Sequence, residues 1–388
     1  MKNISKINNL IHNAETLWLP QWLKLFSDNE NGGFNERLNQ QGTPFDMPKR
    51  LLSQCRQIIV YSQADAYCVE KGQKLYRQKI DEGFQYIIDH YHNPDTGGCL
   101  FSINQDKSIH DPQYDLYGHA FVLLTCANYY QATKNDKALK LAKTTLNFIK
   151  NNYKLEQGFA EALDENLKII AATRRQNPHM HLIEACIHMY EVSDDRDYLN
   201  IADQILTLFF DKFFDEKTGT LGEFFDDNLT PHPTEGHKVE SGHHAEWVWL
   251  LQRYRDVFDA QDPRIEKAMN TLFTWLKTHC PDQTYGGVYN IQDRQGNVIN
   301  DSKRIWGQFE TLRAAAIMTR YPEHQEDASA LINQLIEIIE NHYIDEKTGC
   351  WIEILNRDLS AQTDHLPATT LYHIYGALKQ SLEYLEIS

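Results

Sequence analysis

The chain has 388 residues, with 38 Lys and Arg against 54 Asp and Glu, so its formal charge is −16. A protein this acidic repels polyanions, and we expect neither nucleic acid nor an acidic membrane surface as a partner. The polar start at residues 1–10, the short apolar run at 120–127 and seven scattered cysteines without a CxxC pair predict a cytoplasmic protein with reduced thiols.

Glycine-containing turns recur along the chain at a regular interval. Successive turns lie 61 to 67 residues apart, and two of them share the sequence Asp-Glu-Lys-Thr-Gly. Their first glycines are Gly32, Gly97, Gly158, Gly219, Gly286 and Gly349. A period of this length indicates a repeat architecture, which can remain one domain in a chain of 388 residues.

A second series, made of polar and aromatic residues, keeps the same period. Its members are Arg56, His119, His181, His243, Trp306 and His373. Each member follows the glycine of its own repeat by 20 to 24 residues, so the two series stay in register along the chain. This agreement indicates that the members occupy equivalent places in six repeats.

Two helical patterns flank each glycine turn. An apolar helix begins close to each member of the polar series, and a more amphipathic helix precedes each glycine. The amphipathic patterns cover residues 80–92, 139–151, 198–210, 265–276 and 330–342. Each repeat therefore predicts two helices and a short, turn-rich connection that resembles a β-hairpin.

Six helical pairs can form an open solenoid or a closed ring. A solenoid needs capping character in its terminal repeats, which this sequence lacks. We therefore predict an all-α protein, an (α/α)6 barrel of six helical hairpins that forms a single domain over residues 1–388. In such a ring the whole polar series, including His119, lines one pocket, with Tyr117, Trp247 and Trp351 as platforms for a sugar ring.

Residues 240–251 carry the clearest chemistry. We expect Ser241 and Gly242 to cap a helix there, with His243 and Glu246 side by side on its first turn. His373, from the sixth repeat, is expected to face His243 across the pocket. Two opposed imidazoles suit proton transfer next to a sugar carbonyl, a cation such as Arg56 stabilises the enediolate oxygen, and no cofactor is required.

Other chemistries have weaker support. The nucleotide-binding glycine motifs, the GxSxG motif and the HExxH motif are absent. A metal site needs convergent ligands, whereas His179 and His181 lie two residues apart and diverge on a helix, so we expect no metal. Glycoside hydrolysis needs two opposed carboxylates, but Glu246 and Glu310 each lie beside a histidine or a tryptophan, as orienting groups do.

Several segments carry a resemblance to a known family. They are Arg56-Gln-Ile-Ile-Val-Tyr-Ser, Tyr117-Gly-His-Ala-Phe, Arg175-Gln-Asn-Pro-His-Met-His-Leu-Ile-Glu-Ala, Gly242-His-His-Ala-Glu-Trp, Arg304-Ile-Trp-Gly-Gln-Phe-Glu, Trp351 and Pro367-Ala-Thr-Thr-Leu-Tyr-His. Together they resemble the N-acylglucosamine 2-epimerase superfamily, and most closely its branch of mannose isomerases and aldose–ketose isomerases. The resemblance covers nearly the full chain and implies an (α/α)6 barrel.

The resemblance also implies roles for single residues. It makes His243 and His373 the acid and base pair, His181 the histidine of ring opening and proton relay, and Arg56 the residue that binds the sugar oxygens at C1 and C2. The further pocket residues that it implies are Asn177, Trp306, Glu246 and Glu310. The sequence departs from the family by Ser241 in place of the commoner proline and by a doubled histidine, which leaves His244 as a second choice for His243.

The resemblance favours conversion of D-mannose to D-fructose through a cis-enediolate. A 2-epimerase of a free, N-acylated or β-1,4-linked sugar would use the same two histidines, and an inactive sugar-binding barrel is a third reading. A phosphorylated sugar also stays open, because several basic residues lie near the predicted mouth: Arg174, Arg175, Lys238, Lys303 and Arg304. Both a monomer and a homodimer are compatible with the sequence.

Overall fold

The structure, a computed structural model, describes residues 2–70 and 76–386, except for the side chains of residue 2 and residues 66–70. The α-helices are α1 (Lys2–Asn13), α2 (Leu19–Phe26), α3 (Leu51–Glu70), α4 (Arg77–His90), α5 (Leu116–Thr133), α6 (Lys137–Asn152), α7 (Gln176–Ser193), α8 (Arg196–Leu208), α9 (Ser241–Phe258), α10 (Pro263–His279), α11 (Ile305–Met318), α12 (Gln325–Ile338) and α13 (Leu371–Glu386). Short π-helical segments are Ala14–Trp18, Phe209–Phe213 and Ile339–Tyr343.

Short strands connect the helices. They are β1 (Arg37–Asn39), β2 (Lys49–Arg50), β3 (Ser102–Ile103), β4 (Ile109–Asp111), β5 (Tyr114–Asp115), β6 (Ala162–Leu163), β7 (Ile169–Ile170), β8 (Arg174–Arg175), β9 (Phe214–Asp215), β10 (Thr220–Leu221), β11 (Phe224–Phe225), β12 (Lys238–Glu240), β13 (Ile291–Asp293), β14 (Val298–Asn300), β15 (Lys303–Arg304), β16 (Ile354–Leu355) and β17 (His365–Pro367). The prediction of hairpin-like connections is confirmed.

The chain divides into two compact units. The central unit comprises Leu23–Asp211 and Phe224–His232, and the terminal unit comprises Met1–Trp22, Lys212–Glu223 and Pro233–Ser388. A single domain over the full length stays a prediction.

The central unit contains three helical hairpins. Its inner helices α3, α5 and α7 pack in a row, and α4, α6 and α8 each cover one of them. Strands β2, β5 and β8 each lead directly into an inner helix and pair antiparallel with β3, β6 and β11, respectively. This pairing fixes where each inner helix begins.

The terminal unit repeats the plan with α9, α11 and α13 as inner helices. Helices α10 and α12 cover α9 and α11, while α1 packs against both α13 and α12. The first helix of the chain is thus the outer partner of the last one, so the sixth hairpin is assembled from both ends of the sequence.

The helix predictions are confirmed to within a few residues at each end. The pattern at 265–276, for example, forms α10, which runs from Pro263 to His279. Every residue of the inner helix α11 is buried, whereas the outer helix α12 buries a stripe that includes Leu331 and Leu335. An inner helix is covered on all sides, while an outer helix keeps one face in water.

Glycine turns and inner helices are joined by side chains. The six predicted turn glycines have positive φ angles between 67° and 82°, which glycine adopts without steric cost. The fourth residue of four inner helices accepts a hydrogen bond from a backbone N–H twenty residues earlier: Gln54 from Phe34, His119 from Cys99, His179 from Phe159 and Gln308 from Val288. The fourth residue of these helices therefore has a structural role.

Two predictions from composition concern cysteines and membranes. The six cysteines whose side chains are described are free thiols, and Cys68 lies outside the described side chains. Within residues 2–70 and 76–386, no helix combines the length and the apolar character needed to cross a membrane.

Candidate active site

The two histidines of the predicted acid and base pair hold the same place in their helices. His243 is the third residue of α9, and His373 is the third residue of α13. Trp306, the second residue of α11, contacts both, with its ring centroid 5.2 Å from that of His243 and 5.3 Å from that of His373. Because α9 and α13 both pack against α11, two histidines distant in sequence share one aromatic neighbour.

Gly242 makes room for this tryptophan. A Cβ atom at position 242 would lie 2.0 Å from Cζ3 of Trp306, far inside van der Waals contact. The predicted capping role is wrong, since Glu240 is the N-cap residue and Ser241 instead donates its hydroxyl to the carbonyl oxygen of Tyr289. Gly242 is therefore required by packing.

Each histidine is held by a glutamate through Nδ1. His243 donates to Oε2 of Glu223 at 2.9 Å, and His373 donates to Oε1 of Glu310 at 2.7 Å. A second carboxylate, from Glu240, lies 3.7 Å from Nδ1 of His243. With Nδ1 engaged in this way, Nε2 is the atom through which each ring can exchange a proton with a substrate.

The electrostatic surroundings of the two histidines differ. Burial lowers the pKa of His243, but Glu223, Glu240 and Glu246 outweigh burial and raise it to about 10. The three carboxylates therefore favour the imidazolium form of His243.

The glutamate that holds His373 has a cation beside it. Arg313 donates to Glu310 and lies 3.9 Å from Glu246, and its guanidinium stacks 3.8 Å from the ring centroid of Trp249. Part of the charge of Glu310 is thus compensated by Arg313.

Two groups of side chains in the described residues have the spacing of metal ligands. They are Glu223, Glu240 and His243, and Glu246, Glu310 and His373. In the first group, Nδ1 of His243 is already engaged by the carboxylates of Glu223 and Glu240. In the second, Arg313 already supplies a positive charge to both carboxylates.

A second polar cluster lies in the central unit. Arg56 donates to the hydroxyl of Tyr117 at 2.8 Å, and its guanidinium lies 4.6 Å from the ring centroid of Phe121. The ring of His181 lies 5.2 Å from Tyr117 and 4.8 Å from Phe121. The structure therefore brings three predicted site residues, Arg56, Tyr117 and His181, into one cluster.

His181 and Asn177 project from the same helix, α7. Nδ1 of His181 donates to Glu184 at 2.8 Å. The pairing of histidine and glutamate three residues apart that we expected for His243 and Glu246 thus forms in α7, whereas Nδ1 of His243 is held by Glu223. Asn177 is the second residue of α7, the place that Trp306 holds in α11. Its Oδ1 is buried without a hydrogen-bond partner among the described residues. A buried acceptor of this kind is expected to accept a hydrogen bond from a ligand.

His119, which we predicted to contact the substrate, has both ring nitrogens engaged by the backbone. Its Nδ1 donates to the carbonyl oxygen of Asp115 at 2.7 Å, and its Nε2 accepts from the backbone of Cys99 at 3.0 Å. Burial lowers its pKa to about 4, so the ring is neutral. His119 is fully buried, whereas His243 and His373 keep 7% and 6% of their surface. Like Gln54 and Gln308, His119 connects a glycine turn to an inner helix.

Two of the predicted sugar platforms lie in the core of the terminal unit. Trp247 is fully buried, and Trp351 is 1% exposed. Trp351 packs edge-on against Trp22 at 5.9 Å and donates Nε1 to Glu353. These contacts give Trp351 a packing role, because a buried, hydrogen-bonded indole presents no face to a ligand.

Sequence reasoning missed the glutamate that holds His243, although a signal for it exists. Glu223 follows Gly219 by four residues, as Glu36 follows Gly32. The turn glutamate is thus a recurrent feature of the repeat, and its contact with the next inner helix could have been inferred from the periodicity.

Comparison with known proteins shows the same fold over the whole chain. A crystal structure of D-mannose isomerase matches 97% of this chain and 97% of that chain with a TM-score of 0.85 at 21% sequence identity. At this identity the match shows the fold alone. That fold is the predicted (α/α)6 barrel.

The family follows from the sequence matches. Residues 32–377 match the model of N-acylglucosamine 2-epimerase (GlcNAc 2-epimerase), and the chain belongs to this family. It is 30% identical to a mannose-6-phosphate isomerase of Rhizobium meliloti (strain 1021), over 93% of this chain and 92% of that protein. It is 26% identical to a cellobiose 2-epimerase of Bacteroides fragilis, over 89% of this chain and 90% of that protein. The chain is an enzyme of this isomerase and epimerase class.

Proposed function

We propose that this protein is an aldose–ketose isomerase that converts D-mannose to D-fructose without a metal ion. The observation that carries the proposal is the shared contact of His243 and His373 with Trp306, with Nδ1 of each histidine held by a glutamate. Two anchored imidazoles beside one aromatic ring form an acid and base pair, and neither needs a cofactor to move a proton.

The proposed reaction begins on the open-chain sugar. Nε2 of His373 removes the proton from C2 while the imidazolium of His243 gives a proton to the carbonyl oxygen at C1, which forms the enediol. The proton on His373 then passes to C1, and His243 recovers a proton from the oxygen at C2. The product is the ketose, and both histidines return to their starting protonation states.

The different surroundings of the two histidines support isomerisation over 2-epimerisation. An epimerase returns the proton to C2 from the opposite face, so each histidine must act as the base in one direction of the reaction. The carboxylates of Glu223 and Glu240 hold a proton on His243, which disfavours it as a base. Isomerisation on one face requires only His373 to exchange protons with carbon.

For the central unit we propose the roles that the family resemblance implies. Arg56 binds the sugar oxygens at C1 and C2, and its contact with the hydroxyl of Tyr117 orients the guanidinium. His181, held by Glu184, protonates the ring oxygen during ring opening. The hydrogen bond from Nδ1 fixes the orientation of the imidazole, so Nε2 carries out the transfer.

The test is incubation with D-mannose in EDTA, with fructose as the measured product. Activity that appears only when a divalent metal is added would refute the metal-independent mechanism. In deuterated water an isomerase places deuterium at C1 of fructose, whereas a 2-epimerase places it at C2 of the epimer. His243→Gln and His373→Gln should each lower kcat by about 10²-fold or more.

A phosphorylated substrate is the second candidate, because one relative is named mannose-6-phosphate isomerase. Most of the basic residues predicted near the mouth are engaged by the fold: Arg174 donates to backbone carbonyls, Arg175 pairs with Glu161, Lys238 with Glu235 and Lys303 with Asp282. The guanidinium of Arg304 lies 3.9 Å from Glu353 and 5.4 Å from the ring centroid of Trp306. Arg304→Met should abolish any preference for mannose 6-phosphate over mannose while leaving turnover of mannose.

A further inference from the structure

Two inner helices, α3 and α7, are preceded by an arginine that pairs with a glutamate from the preceding glycine turn. Nε of Arg50 donates to Glu36 at 2.7 Å, and Nε of Arg175 donates to Glu161 at 3.0 Å. Arg304, which precedes α11, lies 3.9 Å from Glu353, a residue of the following glycine turn. In the first two pairs the glutamate also accepts the backbone N–H of the arginine. The pair thus fastens the turn to the start of the helix.

The fourth repeat differs from the first and third. Its turn glutamate, Glu223, is present, but the residue that precedes α9 is Glu240 and not an arginine. Two carboxylates therefore replace a cation and a carboxylate, and His243 lies within reach of both, with Nδ1 2.9 Å from Glu223 and 3.7 Å from Glu240. Glu240 makes no side-chain cap on α9, so its position at the imidazole is not explained by helix capping.

We propose that Glu240 is a positioning residue that keeps a proton on His243, and that glutamate in the place of arginine is what makes His243 the acid of the pair. The assignment of His243 as the acid rests on the proposed function. The effect of Glu240 on the proton of His243 does not rest on the proposed function, because it follows from charge and distance alone.

The charges around His243 determine how large the effect is. On the attractive side are Glu223, Glu240 and Glu246. On the opposing side, the positive charge of Arg294 interacts with Glu223. Arg304 lies over the ring of Trp306. His244 adds no charge, because burial lowers its pKa to about 4. An opposite charge within about 4–6 Å of a titratable group shifts its pKa by roughly 1–3 units. Since Glu240 is the more distant of the two closest carboxylates, we expect the lower end of this range.

The proton on His243 can be observed directly by NMR titration of ¹⁵N-labelled histidines, with the His243 signal assigned by its absence in His243→Gln. In Glu240→Gln the titration midpoint of His243 should fall by about one pH unit. In Glu240→Arg it should fall further, because the new guanidinium is expected to pair with Glu223 as Arg50 pairs with Glu36 and Arg175 with Glu161. Glu240→Arg is expected to fold, since two repeats already use that pair.

Glu235→Gln is the matched control. Glu235 lies five residues earlier and pairs with Lys238, so removal of its charge should leave the midpoint of His243 unchanged. An unchanged midpoint in Glu240→Gln, or an equal fall in both variants, would overturn the proposal.

Activity supplies an independent measurement. The alkaline limb of kcat/KM for D-mannose should move down in Glu240→Gln by the same interval as the NMR midpoint. If the midpoint moves while no mannose is converted by the wild type, the proposed function fails and the role of Glu240 stands. If mannose is converted but neither the midpoint nor the alkaline limb moves, the role of Glu240 fails and the function stands.

Discussion

Gly242→Ala tests the packing on which the geometry of the proposed site depends. The added Cβ would meet three carbon atoms of the Trp306 indole at 2.0, 2.3 and 2.7 Å. Carbon atoms in contact normally lie about 3.5–4.0 Å apart, so the indole must move by about 1.5 Å or the helices must separate. Overpacking of this kind costs about 1–3 kcal/mol.

The displaced indole is the common neighbour of both proposed catalytic histidines. A misplacement of about 1 Å in a catalytic arrangement can lower the rate by about 10²-fold. We therefore expect kcat for D-mannose to fall by about that factor in Gly242→Ala, with a folded protein by circular dichroism and a lower free energy of unfolding in urea.

Gly307→Ala is the matched control, one residue from Trp306 on the facing helix. Its added Cβ would come no closer than 4.0 Å to the backbone of Gly242, and alanine in a helix stabilises by up to about 1 kcal/mol relative to glycine. This variant should keep its activity. Wild-type activity in Gly242→Ala, or an equal loss in both variants, would refute the reasoning. In Gly242→Ala, the further change Trp306→Phe should restore stability but not activity.

Three further predictions follow from the same contacts. His119→Gln should keep kcat/KM within a few-fold, because glutamine accepts the equivalent hydrogen bond from the glycine turn in two other repeats. In His181→Gln, kcat/KM should fall by about 10²-fold or more. Comparable losses in the two variants would support a substrate role for His119. The carboxylates around His243 raise its pKa from the ordinary value of 6.5 to about 10. The stabilisation of the fold by the protonated ring is therefore complete below about pH 6.5 and disappears as the pH rises through 10. The free energy of unfolding in urea should decline more steeply from pH 7 to 10 in the wild type than in His243→Gln. Arg313→Met leaves Glu310 buried without its cation and should lower the free energy of unfolding by about 3–5 kcal/mol, with a smaller loss at pH 5 than at pH 8 if the uncompensated charge is the cause.

The architecture could be read from the sequence because the repeat is marked by residues that the backbone requires. A glycine with positive φ recurs at each turn, and few other residues adopt that conformation without strain. The alternation of a fully apolar helix with an amphipathic one reflects which helix is covered on all sides. Neither the recurring glycine nor the alternation of helix types depends on a contact between distant residues, so both can be recognised in the sequence alone.

The period could not resolve which side chains reach the site. Successive residues on a helix are about 100° apart, and a spacing that varies between 62 and 67 residues leaves the helical face undetermined. As a result, the polar series combined residues that contact the glycine turn with residues that contact the proposed site. His119 is the fourth residue of its helix and faces the glycine turn, whereas His243 is the third residue and faces Trp306.

Adjacent histidines on α9 show that partners and not residue type decide the chemistry. Nε2 of His244 donates to the carbonyl oxygen of Gly219 at 3.3 Å, and burial lowers its pKa to about 4. His243 is buried in the same turn of the same helix, yet carboxylates raise its pKa to about 10. The carbonyl group carries only a partial charge and cannot compensate for the lost hydration of an imidazolium, whereas two glutamates can. His244 therefore continues the structural series of the repeat, and the acid of the proposed reaction can only be the histidine that the turn glutamate reaches.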